Sequence, residues 1–128
     1  MSRALKTTFL IHAAVAFAFG LVLFISPGRS LRFLGWAPID PILTRLLAAA
    51  LLALAWSSFR GWRATERTQV AILVQMEAVF TVLGCVGLLR HLLFAPHPAI
   101  VWVVFATLLA FGIAWIAFLV KKEKPRSL

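Results

Sequence analysis

Four long apolar runs alternate with short polar segments along the chain. The runs cover residues 5–25, 41–59, 68–93 and 98–120, and each is about as long as a helix must be to cross the hydrocarbon core of a bilayer. The polar segments are too short to form domains of their own. The pattern predicts an all-α protein, an integral membrane four-helix bundle, with residues 1–128 as a single membrane domain.

The connections between the runs carry the expected signals for helix ends. Pro27 and Gly28 stop the first run, and Asp40 followed by Pro41 is typical of a helix start. The segment 29–40 mixes arginine with aromatic and aliphatic residues, so we expect it to lie in the head-group region. The segment 60–68 is predicted to be a polar loop.

Composition and charge support a membrane location. Sixty-two per cent of the residues are hydrophobic, and the charged residues lie mostly between the apolar runs. Thirteen Lys and Arg residues face four acids, giving a net charge of +9, but no basic segment is interleaved with aromatics as nucleic-acid binding requires. Nine of the thirteen lie at the two chain ends and in the second connection, which predicts that both termini are cytoplasmic.

The five tryptophans fit this orientation. Trp36 and Trp102 are predicted at the outer interface, and Trp56, Trp62 and Trp115 near the inner one.

Glu77 is the most unusual residue, because a carboxyl group inside a membrane is costly. It lies roughly 10 Å inside the cytoplasmic edge of the hydrocarbon, by a rise of about 1.5 Å per residue. Thr81 and Gly84 share its helix face, so this stripe should face protein. His12 lies equally far into the parallel first helix, and the two side chains are predicted at nearly the same depth.

Two interpretations of Glu77 remain open. With His12 it could share a proton, as a proton relay or ligand site requires, and Thr81 belongs to the same candidate site. Alternatively, a neutral Glu77 bonds a neighbouring helix and fixes the register of the bundle. His91 and His97 lie at the opposite membrane face, so a bis-histidine haem is not predicted.

Arg45 lies one turn inside the outer end of the second helix. Its long side chain can reach the interface or Asp40, or it can hold an anionic group such as a lipid head group. The sequence contains no phosphate-binding glycine loop, no activated nucleophile and no cluster of metal ligands. No catalytic residues or metal site are predicted, and the sequence leaves the cofactor open.

The order of the motifs LFISPGRS, GW and LTRLLAAALLALAWSS, followed by an arginine loop and a polar third helix, resembles the small four-helix DoxX-like proteins of bacterial inner membranes. The resemblance implies a four-helix bundle in the inner membrane, with links in some members to quinone or thiol redox systems. Arg45 matches the family tendency for arginine at that position. Glu77 has no counterpart in the family pattern.

Together these observations predict a multi-pass inner-membrane protein that is an accessory or ligand-, lipid- or quinone-binding subunit without its own catalytic set. The alternative is a proton-coupled small-molecule transporter that uses Glu77. Expected partners are the lipid bilayer and either a second copy or a larger membrane complex, since alanine seams on the second and fourth helices permit close packing.

Overall fold

The computed structural model describes residues 1–36 and 38–121, and this part of the chain is helical without strands. Four of its helices are long and apolar enough to cross a membrane. In chain order the elements are α1 (Arg3–Ile25), the short α2 (Pro27–Phe33), α3 (Pro41–Arg63), a 3-10 turn (Thr68–Val70), α4 (Ala71–Phe94) and α5 (Ile100–Val120).

The start of α3 confirms the predicted helix signal. One carboxylate oxygen of Asp40 accepts hydrogen bonds from the backbone N–H groups of Ile42 and Leu43, at 2.9 and 3.1 Å. Pro41 occupies the first helical position, where its missing N–H is not needed. The α3 helix therefore begins where Asp40 can satisfy two otherwise free donors.

The connection after α1 is more regular than the sequence indicates. Pro27 ends α1 and at once begins α2, because its fixed φ suits the first position of a new helix. The α2 helix ends in a turn at Gly35, whose φ of 72° is a conformation that favours glycine. A Cβ at Gly35 would lie 3.6 Å from Cβ of Pro98, so this turn approaches the connection between α4 and α5.

The α3 helix continues to Arg63, through residues predicted to be loop. The cause is tertiary packing at Gly61, which is buried against the ring of Phe9 on α1. A Cβ on Gly61 would lie 2.7 Å from Cε1 of Phe9. The last turn of α3 is thus part of the helix–helix contact and not of the polar connection.

The long helices pack as two pairs, α1 with α3 and α4 with α5. Glycines bring the helices together in both pairs: a Cβ on Gly20 would lie 2.9 Å from Cγ of Leu52, and one on Gly84 would lie 3.0 Å from Cδ1 of Leu108. Contacts between the two pairs are far fewer. The fold is therefore two close-packed helix pairs with a sparser interface between them.

The two pairs are joined at one end of the molecule, here called the basal end. It contains the start of α1, the connection around Arg67 and the end of α5. Arg67 donates hydrogen bonds to the carbonyl oxygens of Phe118 and Lys121, and the N-terminal amine donates to the carbonyl of Thr65 at 3.3 Å.

A hydrophobic core lies beside the basal end and takes residues from three of the four long helices. Its buried members are Leu5, Phe9, Val70, Val74, Ala78 and Trp115. The rings of Phe9 and Trp115 are 4.9 Å apart between centroids. Trp115, which the sequence indicates as an interfacial residue, is completely buried in this core.

We predict that Gly61→Ala destabilises the protein by about 1–3 kcal/mol, because the added methyl group must displace the buried Phe9 ring. Gly87→Ala is the matched control, since a Cβ there meets nothing within 4 Å. The control should be neutral or stabilising by about 0.5–1 kcal/mol through helix propensity. Thermal unfolding in detergent micelles measures both, and equal stability of the two variants would contradict the close approach at Gly61.

Candidate functional site

Glu77 lies in the second turn of α4 and faces the interior of the four-helix arrangement. Only 1% of its surface is exposed, although it stands in a helix apolar enough to cross a membrane. His12 of α1 and Ser58 of α3 are also buried and meet it from the other helix pair. Three of the four long helices thus contribute a polar side chain to one point.

These three side chains form a continuous hydrogen-bonded chain, here called the His12–Ser58–Glu77 chain. Oγ of Ser58 lies 2.9 Å from Oε1 of Glu77 and 2.8 Å from Nδ1 of His12. Nδ1 of His12 and Oε1 of Glu77 are themselves 3.5 Å apart. The structure therefore brings together the histidine and the glutamate that the sequence places at similar depth, with a serine between them.

The geometry permits two arrangements of the same protons. A serine hydroxyl has one hydrogen, so if Ser58 donates to Glu77 it must accept from a protonated Nδ1 of His12. Shifting both protons along the chain leaves Nδ1 of His12 as an acceptor and Glu77 protonated. An imidazolium–carboxylate pair and a neutral imidazole–carboxylic acid pair are thereby interconverted without moving a heavy atom.

Aromatic rings enclose the histidine end of this chain. Phe111 and Trp115 of α5 both meet the His12 ring edge-on, with centroid distances of 4.7 and 5.7 Å. Such edge-to-face contacts are favourable and restrict the orientation of the imidazole. All four long helices therefore meet at the His12–Ser58–Glu77 chain, since α5 supplies the rings.

Two buried polar atoms at or next to the His12–Ser58–Glu77 chain have no hydrogen-bond partner among the residues that the structure describes. They are Oε2 of Glu77 and Nε1 of Trp115. Leaving a buried donor or acceptor unpaired costs about 1–3 kcal/mol each, and such atoms in native proteins call for an explanation. The Trp115 N–H is a donor, while Glu77 Oε2 accepts when ionised and can donate when protonated.

Thr81 is buried one turn beyond Glu77, but its hydroxyl is not directed to the carboxyl group. It donates within its own helix, to the carbonyl oxygens of Glu77 and Ala78 at 2.8 and 3.1 Å. A Cβ on Gly112 of α5 would lie 3.3 Å from the Thr81 hydroxyl oxygen. Thr81 thus packs against α5, and it supplies no hydrogen bond to the His12–Ser58–Glu77 chain.

The other candidate residues lie apart from this site. Arg45 is exposed near the start of α3 and, across residues 1–36 and 38–121, makes no ion pair with Asp40 or Glu77. His91 and His97 lie near the end of α4 and the turn after it, with ring centroids 6.2 Å apart. No group of three or more potential metal ligands occurs in the described ranges.

Sequence reasoning missed three members of the site, namely Ser58, Phe111 and Trp115. A serine in an apolar helix is unremarkable, and neighbouring Ser57 bonds mainly its own helix, at 2.9 Å from the Leu54 carbonyl. One available signal was spacing, because Phe111 and Trp115 are four residues apart and so share a face of α5.

No protein-family model, curated protein or solved structure matches the chain. The resemblance to the DoxX-like proteins therefore stays a prediction, and the site is interpreted from its own geometry.

We predict that Ser58→Ala lowers the free energy of unfolding by about 1–3 kcal/mol, because it removes the bridge between two buried polar groups. Ser57→Ala is the matched control: its hydroxyl is 3.4 Å from Oε1 of Glu77 and is satisfied by its own helix. The control should be near neutral, since alanine gains about 0.5 kcal/mol of helix propensity. The free energies of unfolding of both variants are measured from unfolding curves in the same detergent. Equal decreases for the two variants would show that Ser58 has no special role.

Proposed function

We propose that the chain is an integral membrane protein that binds a small amphipathic molecule, a quinone or a lipid-like compound, through its polar head at Glu77 and Trp115. The supporting observation is the pair of unpaired buried polar atoms, Oε2 of Glu77 and Nε1 of Trp115. A ligand carbonyl or hydroxyl group has the chemistry to pair with each atom, because its oxygen accepts from the Trp115 N–H and it can form a hydrogen bond with the Glu77 carboxyl group.

The surroundings suit such a ligand. Glu77 is bonded to Ser58 and lies 3.5 Å from His12, and the rings of Phe111 and Trp115 pack against the His12 imidazole. Apolar walls with few, well-placed polar groups are the usual composition of small-molecule sites. In both proton arrangements Oε2 of Glu77 accepts from a ligand hydroxyl; it donates to a ligand carbonyl when it carries the proton itself while Ser58 still donates to Oε1.

The proposal includes the location of the protein. We assign it to a bacterial inner membrane as a multi-pass protein, with the basal end cytoplasmic because that end carries most of the Lys and Arg residues. In this orientation the candidate site lies in the cytoplasmic half of the bilayer.

We predict that Trp115→Phe weakens binding of a decyl benzoquinone about five-fold, which corresponds to the loss of one hydrogen bond of about 1 kcal/mol. Glu77→Leu should weaken it about ten-fold, whereas Glu77→Gln should retain binding because its amide can still donate to a carbonyl. Binding is measured by titration into protein-loaded lipid nanodiscs, with empty nanodiscs correcting for partition into lipid.

The matched control for that experiment is Trp56→Phe, because Trp56 is 64% exposed on the outer surface of α3. Its substitution should leave the affinity unchanged. If Trp56→Phe and Trp115→Phe reduce affinity equally, the compound binds elsewhere and the proposal fails.

A second candidate function is a proton-coupled small-molecule transporter. It is favoured by the position of Glu77, which links the α4–α5 pair to the α1–α3 pair through a group that can gain or lose a proton. In such a transporter the substrate and the proton would compete for the same carboxyl group, and the sparse interface between the pairs would allow them to move relative to each other.

The transporter hypothesis predicts that Glu77→Gln abolishes proton-coupled flux in liposomes, since glutamine cannot release a proton. The same substitution retains ligand binding under the first proposal, so the two functions are separated by one variant. Flux is followed by the change in internal pH after substrate is added to proteoliposomes. Unchanged flux in a folded Glu77→Gln variant would exclude proton coupling through this residue.

A further inference from the structure

A groove of about 530 Å³ runs along the surface between α1 and α5, next to the candidate site. Its volume falls within the range of about 300–1,000 Å³ that is typical of small-molecule sites. Ile11 and Val15 form its α1 wall, and Ala106, Ala110 and Ala114 form much of its α5 wall. From Ala106 to Ala114 the groove extends over about 12 Å at the helical rise of 1.5 Å per residue.

The groove offers an apolar surface along its whole length. Its two hydroxyl-bearing residues, Thr8 and Thr107, donate their hydroxyl groups to their own helices, to the carbonyls of Ala4 and Val103 at 3.1 and 2.8 Å. Their hydroxyl hydrogens are therefore already in use, and their methyl groups add to the apolar surface. The groove therefore fits a hydrocarbon chain, and neither threonine hydroxyl is free to donate to a carbonyl head group.

Phe111 lies between the groove and the polar site. Its side chain lines the groove and also packs edge-on against the His12 ring at 4.7 Å between centroids. The Phe111 ring thus separates the apolar α1–α5 groove from the buried polar site, where Oε2 of Glu77 and Nε1 of Trp115 are unpaired.

We infer that the α1–α5 groove holds the single apolar chain of the ligand whose polar head binds at Glu77 and Trp115, with Phe111 at the junction of chain and head. The inference rests on the proposed function and adds the class of ligand, a one-chain amphiphile with a carbonyl or hydroxyl head. The groove lies between only two helices and its α5 wall is mostly alanine, so it is suited to a single hydrocarbon chain.

The structure provides an internal comparison on its opposite side. A second groove of about 450 Å³ lies between α3 and α4, with Leu54, Met76, Val79 and Leu83 among its lining residues. It is of similar size and equally apolar, but the ring contacts with His12 come from α5, on the side of the first groove. A ligand chain that follows the head is therefore expected in the α1–α5 groove.

The test compares two probes that share a head group: dimethoxy-methyl-benzoquinone without a tail, and its decyl derivative. Ala110→Trp fills the α1–α5 groove, and Val79→Trp is the matched control in the second groove. Both positions are exposed to the membrane, so neither substitution disturbs the interior. Affinities are measured in nanodiscs, with native mass spectrometry reporting the number of chains per particle.

We expect Ala110→Trp to weaken binding of the decyl compound about ten-fold, because several methylene groups lose contact with the protein. Ala110→Trp should change the affinity for the tail-less compound less than about two-fold, because the variant loses only contacts with the hydrocarbon tail. Val79→Trp should alter the affinity for neither compound.

The outcomes separate the two levels of the proposal. If neither compound binds the unaltered protein, the proposed function itself fails. If both bind, but Ala110→Trp affects them equally or Val79→Trp has the larger effect, the proposed function stands and the assignment of the groove is overturned. If Ala110→Trp changes only the number of associated chains, the groove is a contact between copies and the inference is likewise wrong.

Discussion

The His12–Ser58–Glu77 chain is the constraint on which the rest of the arrangement depends. A membrane offers no water to satisfy buried polar groups, so these side chains must find partners within the protein. Ser58 lies within 3 Å of both neighbours, which fixes α1, α3 and α4 at one depth and one rotation. Any rotation of α4 that carried Glu77 away would turn its carboxyl group towards hydrocarbon and take from Ser58 its hydrogen-bond partner on α4. The chain thus specifies how the two helix pairs face each other.

Within each pair a different force operates. Lipid chains are as apolar as leucine, so helices in a bilayer gain from close packing more than from exclusion of water. Gly61 lets Phe9 lie on the α3 backbone, and Gly112 lets α5 approach Thr81. Dispersion therefore holds each pair together, while hydrogen bonds and the basal core determine how the pairs meet. The protein therefore consists of two closely packed helix pairs that meet at a polar, less densely packed interface.

The sequence predicted the features that depend on local chemistry or on a bilayer's thickness. Four apolar helices follow from the run lengths, and the start of α3 follows from Asp40. Burial of Glu77 is expected from the cost of a carboxyl group in hydrocarbon. The partner Ser58, the buried Trp115 and the extension of α3 depend on how helices rotate against each other. Helices that are apolar on every side carry little periodic signal about which face is inward, so these contacts required the structure.

The placement of the grooves has a consequence for access. The turn at Gly35 approaches Pro98 at the end opposite the basal end, while both grooves open sideways between helices. If the four apolar helices span a bilayer, a molecule that reaches Phe111 along the α1–α5 groove arrives through the lipid. Its local supply is then set by its partition coefficient, so the bilayer enriches hydrophobic compounds and rejects hydrophilic ones before the protein contacts either. The bilayer itself would then perform the first step of ligand selection.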